Sequence, residues 1–183
     1  MPLNANLCID DLPDDAASGL VARNVTIKCL KRGDFVFRGA STYHPRKGAV
    51  PMVDWVASPW WIEEDQYHRI NKKYLDGRSD GFPFESLGFT MRHALAVQQG
   101  WSRVDVVVKA WLLQDINVFS GPGRCQFESL PNGMTVEWRG WPLVRQIYIP
   151  NVDKARSNDS VVVVDGRPVL RIQKKEEEVI VPI

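Results

Sequence analysis

The chain has 183 residues, 44% hydrophobic and 25% charged, which suits one domain with a real core and excludes wholesale disorder. Its 23 basic and 22 acidic side chains leave a net charge of +1, excluding a generally basic nucleic-acid binder and an acidic tail protein. No apolar run approaches the roughly 20 residues of a membrane span, so no membrane partner is expected.

The start, Met1-Pro2-Leu3-Asn4, lacks the basic and hydrophobic regions of a secretory signal. A cytoplasmic protein is expected, or one delivered into a target cell by a route that needs no signal peptide. Residues 1–24 carry the acidic cluster Asp10, Asp11, Asp14 and Asp15 and few large apolar groups after Leu12. They read as a loosely packed lead-in with one short helix through Ala16, Ala17 and Leu20, capped by Asp14. A single α+β domain then runs over residues 25–183.

Val25 to Leu30 and Asp34 to Arg38 alternate as strands do, with Lys31-Arg32-Gly33 as the turn between them. After a Pro/Gly loop at residues 43–48, Met52 to Ala57 reads as a short apolar strand. Ser58-Pro59 predicts a helix over 59–74, since serine caps well and proline suits the first turn. Glu63, Glu64 and Asp65 near its start and Arg69, Lys72 and Lys73 near its end fit the helix dipole. A second helix is predicted over 85–99, burying Leu87, Met91, Leu95 and Val97.

The second half is mostly strands: Val104 to Leu113, Ile116 to Phe119, Met134 to Trp138 and Val144 to Ile149. The best-marked element is a hairpin, Ser160 to Val164 and Pro168 to Ile172 around Asp165-Gly166. A last apolar strand is expected at Glu178 to Pro182. The fold class is therefore α+β: two packed, mostly antiparallel half-sheets with flanking helices.

Cys8, Cys29 and Cys125 are odd in number and share no CxxC spacing, so reduced thiols are expected rather than a disulfide scaffold. With only His44, His68 and His93 besides, no metal site is expected. His68 and Asp65 share a helix face at i, i+3, but exposed polar helix positions carry no ligand role by themselves. The chain has no GxSxG, P-loop, HExxH or GxGxxG motif. In Gly121-Pro122-Gly123 the proline removes a donor that a phosphate cradle would need. Seven tryptophans are more than filler explains, because each indole N–H wants a partner when buried.

Three features stand together. An apolar strand ends in arginine then glycine (Phe35-Val36-Phe37-Arg38-Gly39), and Trp55-Val56-Ala57-Ser58-Pro59 places serine before a helix. Glu176-Glu177-Glu178 then feeds Val179-Ile180-Val181-Pro182. In this order the sequence resembles the arginine–serine–glutamate branch of the ADP-ribosyltransferase superfamily, that of bacterial toxins and effectors. The resemblance spans most of residues 34–183.

It implies an ADP-ribosyltransferase-like fold and NAD as substrate, with transfer of ADP-ribose to a protein or nucleic acid, or hydrolysis of NAD. A cognate immunity or antitoxin protein is a further partner it implies. Arg38 would grip the phosphates or ribose of NAD, and Ser58 would orient that arginine. Glu178 would stabilise the charge developing as nicotinamide leaves, and Glu176 would steer or deprotonate the acceptor. Trp60, Trp61 and Tyr67 would stack on nicotinamide or adenine. A second register exists at Val144-Arg145-Gln146-Ile147-Tyr148-Ile149-Pro150, where Gln146 stands in the glutamate's place, and Ser120 competes with Ser58. The alternative is a non-enzymatic interaction module that uses exposed tryptophans and the basic stretch 31–50 to bind a protein or nucleic acid.

Overall fold

Short runs rich in β-branched and aromatic residues, most of them buried at consecutive positions, form eight segments of a single antiparallel sheet in the computed structural model, which describes residues 1–44, 48–79, 86–98, 101–130 and 132–173. The strands are β1 (Thr26–Leu30), β2 (Phe35–Ala40), β5 (Trp60–Glu63), β6 (Val106–Leu112), β7 (Ile116–Pro122), β10 (Arg145–Tyr148), β11 (Val161–Val164) and β12 (Arg167–Ile172). Their order is β1-β7-β10-β5-β2-β6-β12-β11. Two ribbons stand apart from it, β3 (Tyr43–His44) with β4 (Gly48–Ala49) and β8 (Gln126–Ser129) with β9 (Thr135–Trp138). The helices are α1 (Asp14–Gly19), α2 (Met52–Val56), α3 (Glu64–Ser79) and α4 (Leu87–Leu95). No described helix is long and apolar enough to cross a membrane. The α+β class with antiparallel pairing and few helices is as the sequence predicts.

Strand β5 is the joint between two halves. Its first residues pair with β10 (Trp60 opposite Tyr148, Trp61 opposite Ile147), and its last pair with β2 (Ile62 opposite Phe37, Glu63 opposite Val36). The ladder between β2 and β5 stops there, while β2 continues along β6 through Arg38, Gly39 and Ala40. A gap therefore opens between β2 and the beginning of β5. One sheet face feeds a core holding Leu30, Ile116, Val118 and Ile147 from one half and Val36, Val108, Leu112 and Leu170 from the other. On the opposite face Ile70 of α3 and Leu87, Met91 and Leu95 of α4 pack on Phe37, Ile62 and Val107.

Three local expectations fail, each for a physical reason. The segment expected as a strand at Met52 to Ala57 is helical over Met52–Val56, because its apolar residues do not alternate and Pro51 sets the chain for a helix start. The segment after Ser58-Pro59 is strand, not helix: Trp60-Trp61-Ile62 favours the pleated sheet and finds partners on both sides. The helix begins instead at Glu64, with Glu64 and Asp65 in its first turn. The lead-in is also more tightly held than its composition suggests. Ala16 and Leu20 are fully buried against Phe119 and Tyr148, and Leu3 bridges to Ile116. The strand expected at Glu178 to Pro182 lies outside the described residues.

The second helix is shorter than its expected span. Ser86 caps it by accepting the Phe89 N–H at 3.1 Å, and Ala96 ends it in the left-handed region at φ 54°. The Asp165-Gly166 turn has positive φ at both residues, 48° and 74°, as a two-residue hairpin requires.

Candidate functional site

The gap beside β5 is the floor of a cleft of about 280 Å3. Arg38 and Gly39 of β2, Trp60, Trp61 and Ile62 of β5, and Gln146 of β10 line it from the sheet. Asp15, Ser18 and Gly19 of α1 close one side, and residues 95–97 with Trp101, Ser102 and Val104 close the other. A smaller lobe of about 130 Å3 adjoins it and shares Arg38, Trp101 and Ser102.

Arg38 is the centre of charge. Its Nη1 donates to the carbonyl of Trp60 at 2.9 Å, a carbonyl at the point where the β2–β5 ladder ends. Its Nε is buried and has no hydrogen-bond partner. No carboxylate among the described residues forms an ion pair with it. Desolvation pulls its pKa down to about 10, which still leaves the guanidinium charged at neutral pH. A partly exposed cation with no counter-charge favours an anion in the cleft.

Trp60 supplies the apolar wall. Its ring packs so closely over Gly19 that a Cβ there would come within 2.7 Å, and Tyr148 meets it edge-on at 5.0 Å. Tyr148 in turn donates its hydroxyl to both oxygens of Asp15, at 3.0 and 3.1 Å. Gly39 is needed for closure, since a Cβ would sit 2.6 Å from Val104.

The sequence-derived residues divide into three groups. Arg38, Trp60 and Trp61 line the cleft, though Trp61 is 2% exposed and its Nε1 donates to the Ser58 carbonyl at 2.8 Å. Ser58 and Tyr67 are not among the lining residues. Ser58 shapes the turn into β5, and Tyr67 stacks on Phe37 at 4.2 Å beneath α3. Tyr67 is helical as expected, but with 60–63 a strand it falls in the first turns of α3, where it packs on Phe37 rather than in the cleft. Glu176 and Glu178 lie outside the described residues. Ser120 is buried and accepts Arg145 Nε at 3.2 Å, while Gln146 of the second register does face the cleft.

Asp15, Trp101 and Ser102 line the cleft without any signal in the sequence reading. Trp101 is the one tryptophan that is largely exposed, at 58%; the other six are buried or half-buried. Compared with protein-family models, with curated proteins and with solved structures, the chain gives no match.

Proposed function

We propose that the cleft binds NAD and that the chain is an ADP-ribosyltransferase-like effector domain, transferring ADP-ribose to a macromolecular acceptor or hydrolysing NAD. The observation that carries this reading is Arg38, a guanidinium without a carboxylate partner set between a tryptophan wall and a second, polar lobe. A dinucleotide has the matching chemistry: a diphosphate for the arginine and flat rings for apolar walls. The larger lobe, about 280 Å3, is close to the lower end of small-molecule sites, and the adjoining lobe of about 130 Å3 extends it. Arg38 would hold the phosphates, Trp60 would stack on a base, and Glu178 would supply the negative charge for nicotinamide departure, as the resemblance implies.

One observation favours a second reading, binding without transfer. The cleft-facing residue of β10 is Gln146, an amide, which cannot supply that charge. Calorimetry with NAD and an assay of nicotinamide release, with and without cell extract as acceptor source, separate the two. Binding with release supports the transferase or hydrolase, binding alone supports the second reading, and no binding removes both.

A further inference from the structure

The two lobes meet at a saddle formed by Arg38, Trp101 and Ser102, with Ser41 and Arg103 on its polar side. Ser41 Oγ accepts the Arg103 N–H at 2.7 Å, and Ser102 Oγ accepts the Val104 N–H at 3.2 Å. The two hydroxyls share one hydrogen bond, 3.0 Å long, in which either is the donor. Two protons are available and one is used, so the other has no acceptor among the described residues. Whichever hydroxyl keeps it, that hydroxyl lines the polar lobe.

The charges at the saddle are equally one-sided. Neither Arg38 nor the exposed Arg103 forms an ion pair with a described carboxylate. The nearby carboxylates are already engaged. Asp54 pairs with Lys154 at 2.7 Å, Asp105 accepts the Thr42 N–H at 2.8 Å and its hydroxyl at 3.1 Å, and Asp15, in the apolar lobe, accepts the Tyr148 hydroxyl. Two guanidiniums and a spare hydroxyl donor call for a group with more than one charge and several acceptor oxygens. A lone carboxylate would leave donors unused.

We infer that this saddle is a diphosphate-binding site in which Arg103 and the Ser41–Ser102 hydroxyl pair act together with Arg38. The ligand class is a diphosphate ester carrying a flat group that enters the apolar lobe beside Trp60. This deepens the reading of the cleft given above. Its probe, inorganic pyrophosphate, contains neither nicotinamide nor ribose, so the two ideas fail separately.

The test is calorimetry of the full chain with pyrophosphate and with NAD, on the wild type, Arg103→Gln and Ser102→Ala, each checked for folding by thermal unfolding. Pyrophosphate should bind the wild type and compete with NAD. Arg103→Gln should weaken pyrophosphate about tenfold and flatten the salt dependence, and Ser102→Ala should weaken it by a similar factor. Nicotinamide riboside, which lacks phosphate, should show no change. Should Ser102→Ala misfold, Arg103→Gln decides alone, since its side chain is at the surface. No pyrophosphate binding by the wild type, or unchanged binding by Arg103→Gln, overturns the saddle. Pyrophosphate binding without NAD binding keeps the saddle and removes NAD.

Discussion

Gln146 donates its side-chain amide to the main-chain carbonyl of Leu95 at 2.9 Å, tying β10 to the last turn of α4 at the bottom of the cleft. The amide is 6% exposed, and Gly123 leaves it room: a Cβ at that glycine would lie 2.8 Å from Gln146 Nε2 and 2.7 Å from the Leu95 oxygen. The carbonyl requires a donor at this place. An ionised carboxylate would face it oxygen to oxygen, so the amide is a structural requirement here as well as a chemical difference from glutamate.

Gln146→Glu should therefore destabilise the fold at neutral pH, by about 1–3 kcal/mol, the cost of a buried acceptor that loses its donor. The neutral acid is a donor, so the folded state favours protonation and raises the pKa of the introduced carboxyl. The penalty should be small below about pH 4.3, the ordinary glutamate value, and grow as pH rises through the folded-state value. Urea unfolding from pH 4 to 8 measures this. A penalty independent of pH would mean that the side chain has turned away from Leu95.

Arg38 is held at a cost in stability. A partly buried guanidinium with an unpartnered Nε pays desolvation, and its bond to the Trp60 carbonyl returns only about 1 kcal/mol. Arg38→Met, of similar length and without the charge, should raise the unfolding free energy by on the order of 1 kcal/mol and abolish anion binding. Arg38→Lys keeps a charge but not the planar fork, and should also lose NAD affinity. Lower stability in Arg38→Met would make the arginine a structural group first.

The parts of this arrangement that were legible in the sequence are the locally determined ones. The strand that carries Arg38 is visible in Phe35 to Arg38, although β2 runs on to Ala40 and the arginine does not close it, and the Asp165-Gly166 turn announces itself because few residues other than glycine, asparagine and aspartate accept positive φ. Ser58-Pro59 misleads because a serine, a proline and nearby acids are also what a helix start looks like. The sheet overrides that signal, since Trp60 to Glu63 bridges two strands that are distant in the chain. Asp15, Trp101 and Ser102 carry no mark of their own. They reach the cleft only because α1 packs on β7 and β10 and because β6 runs beside β2.

Tyr148 gives a prediction at alkaline pH. Burial first, and its hydrogen bond to Asp15 second, push its phenol well above the usual value near 10. The folded protein thus keeps a proton that the unfolded chain gives up. The associated stability is intact below about pH 10 and is lost as pH rises through the folded-state value. Tyr148→Phe should cost about 1 kcal/mol at pH 7 through the lost hydrogen bond, and that gap should narrow above pH 10. Chemical unfolding of both proteins between pH 7 and 11 is the measurement, and a constant gap would separate the hydroxyl from alkaline unfolding.

The catalytic carboxylate is decided by two substitutions near the end of the chain. Glutamine is close to isosteric with glutamate, so Glu178→Gln should leave unfolding and NAD affinity nearly unchanged. It removes the charge that favours nicotinamide departure, and release should fall by about 10²–10³, as when one preorganised electrostatic group is lost. Glu176→Gln should keep hydrolysis of NAD and lose transfer to the acceptor, because its implied role is toward the attacking group. Nicotinamide release measured with and without cell extract reads both effects. Full release by Glu178→Gln would remove that residue from the chemistry. A wild type that binds NAD and releases no nicotinamide would instead leave Gln146 as the defining residue of the cleft, and the protein as a binder whose amide is kept for the Leu95 carbonyl.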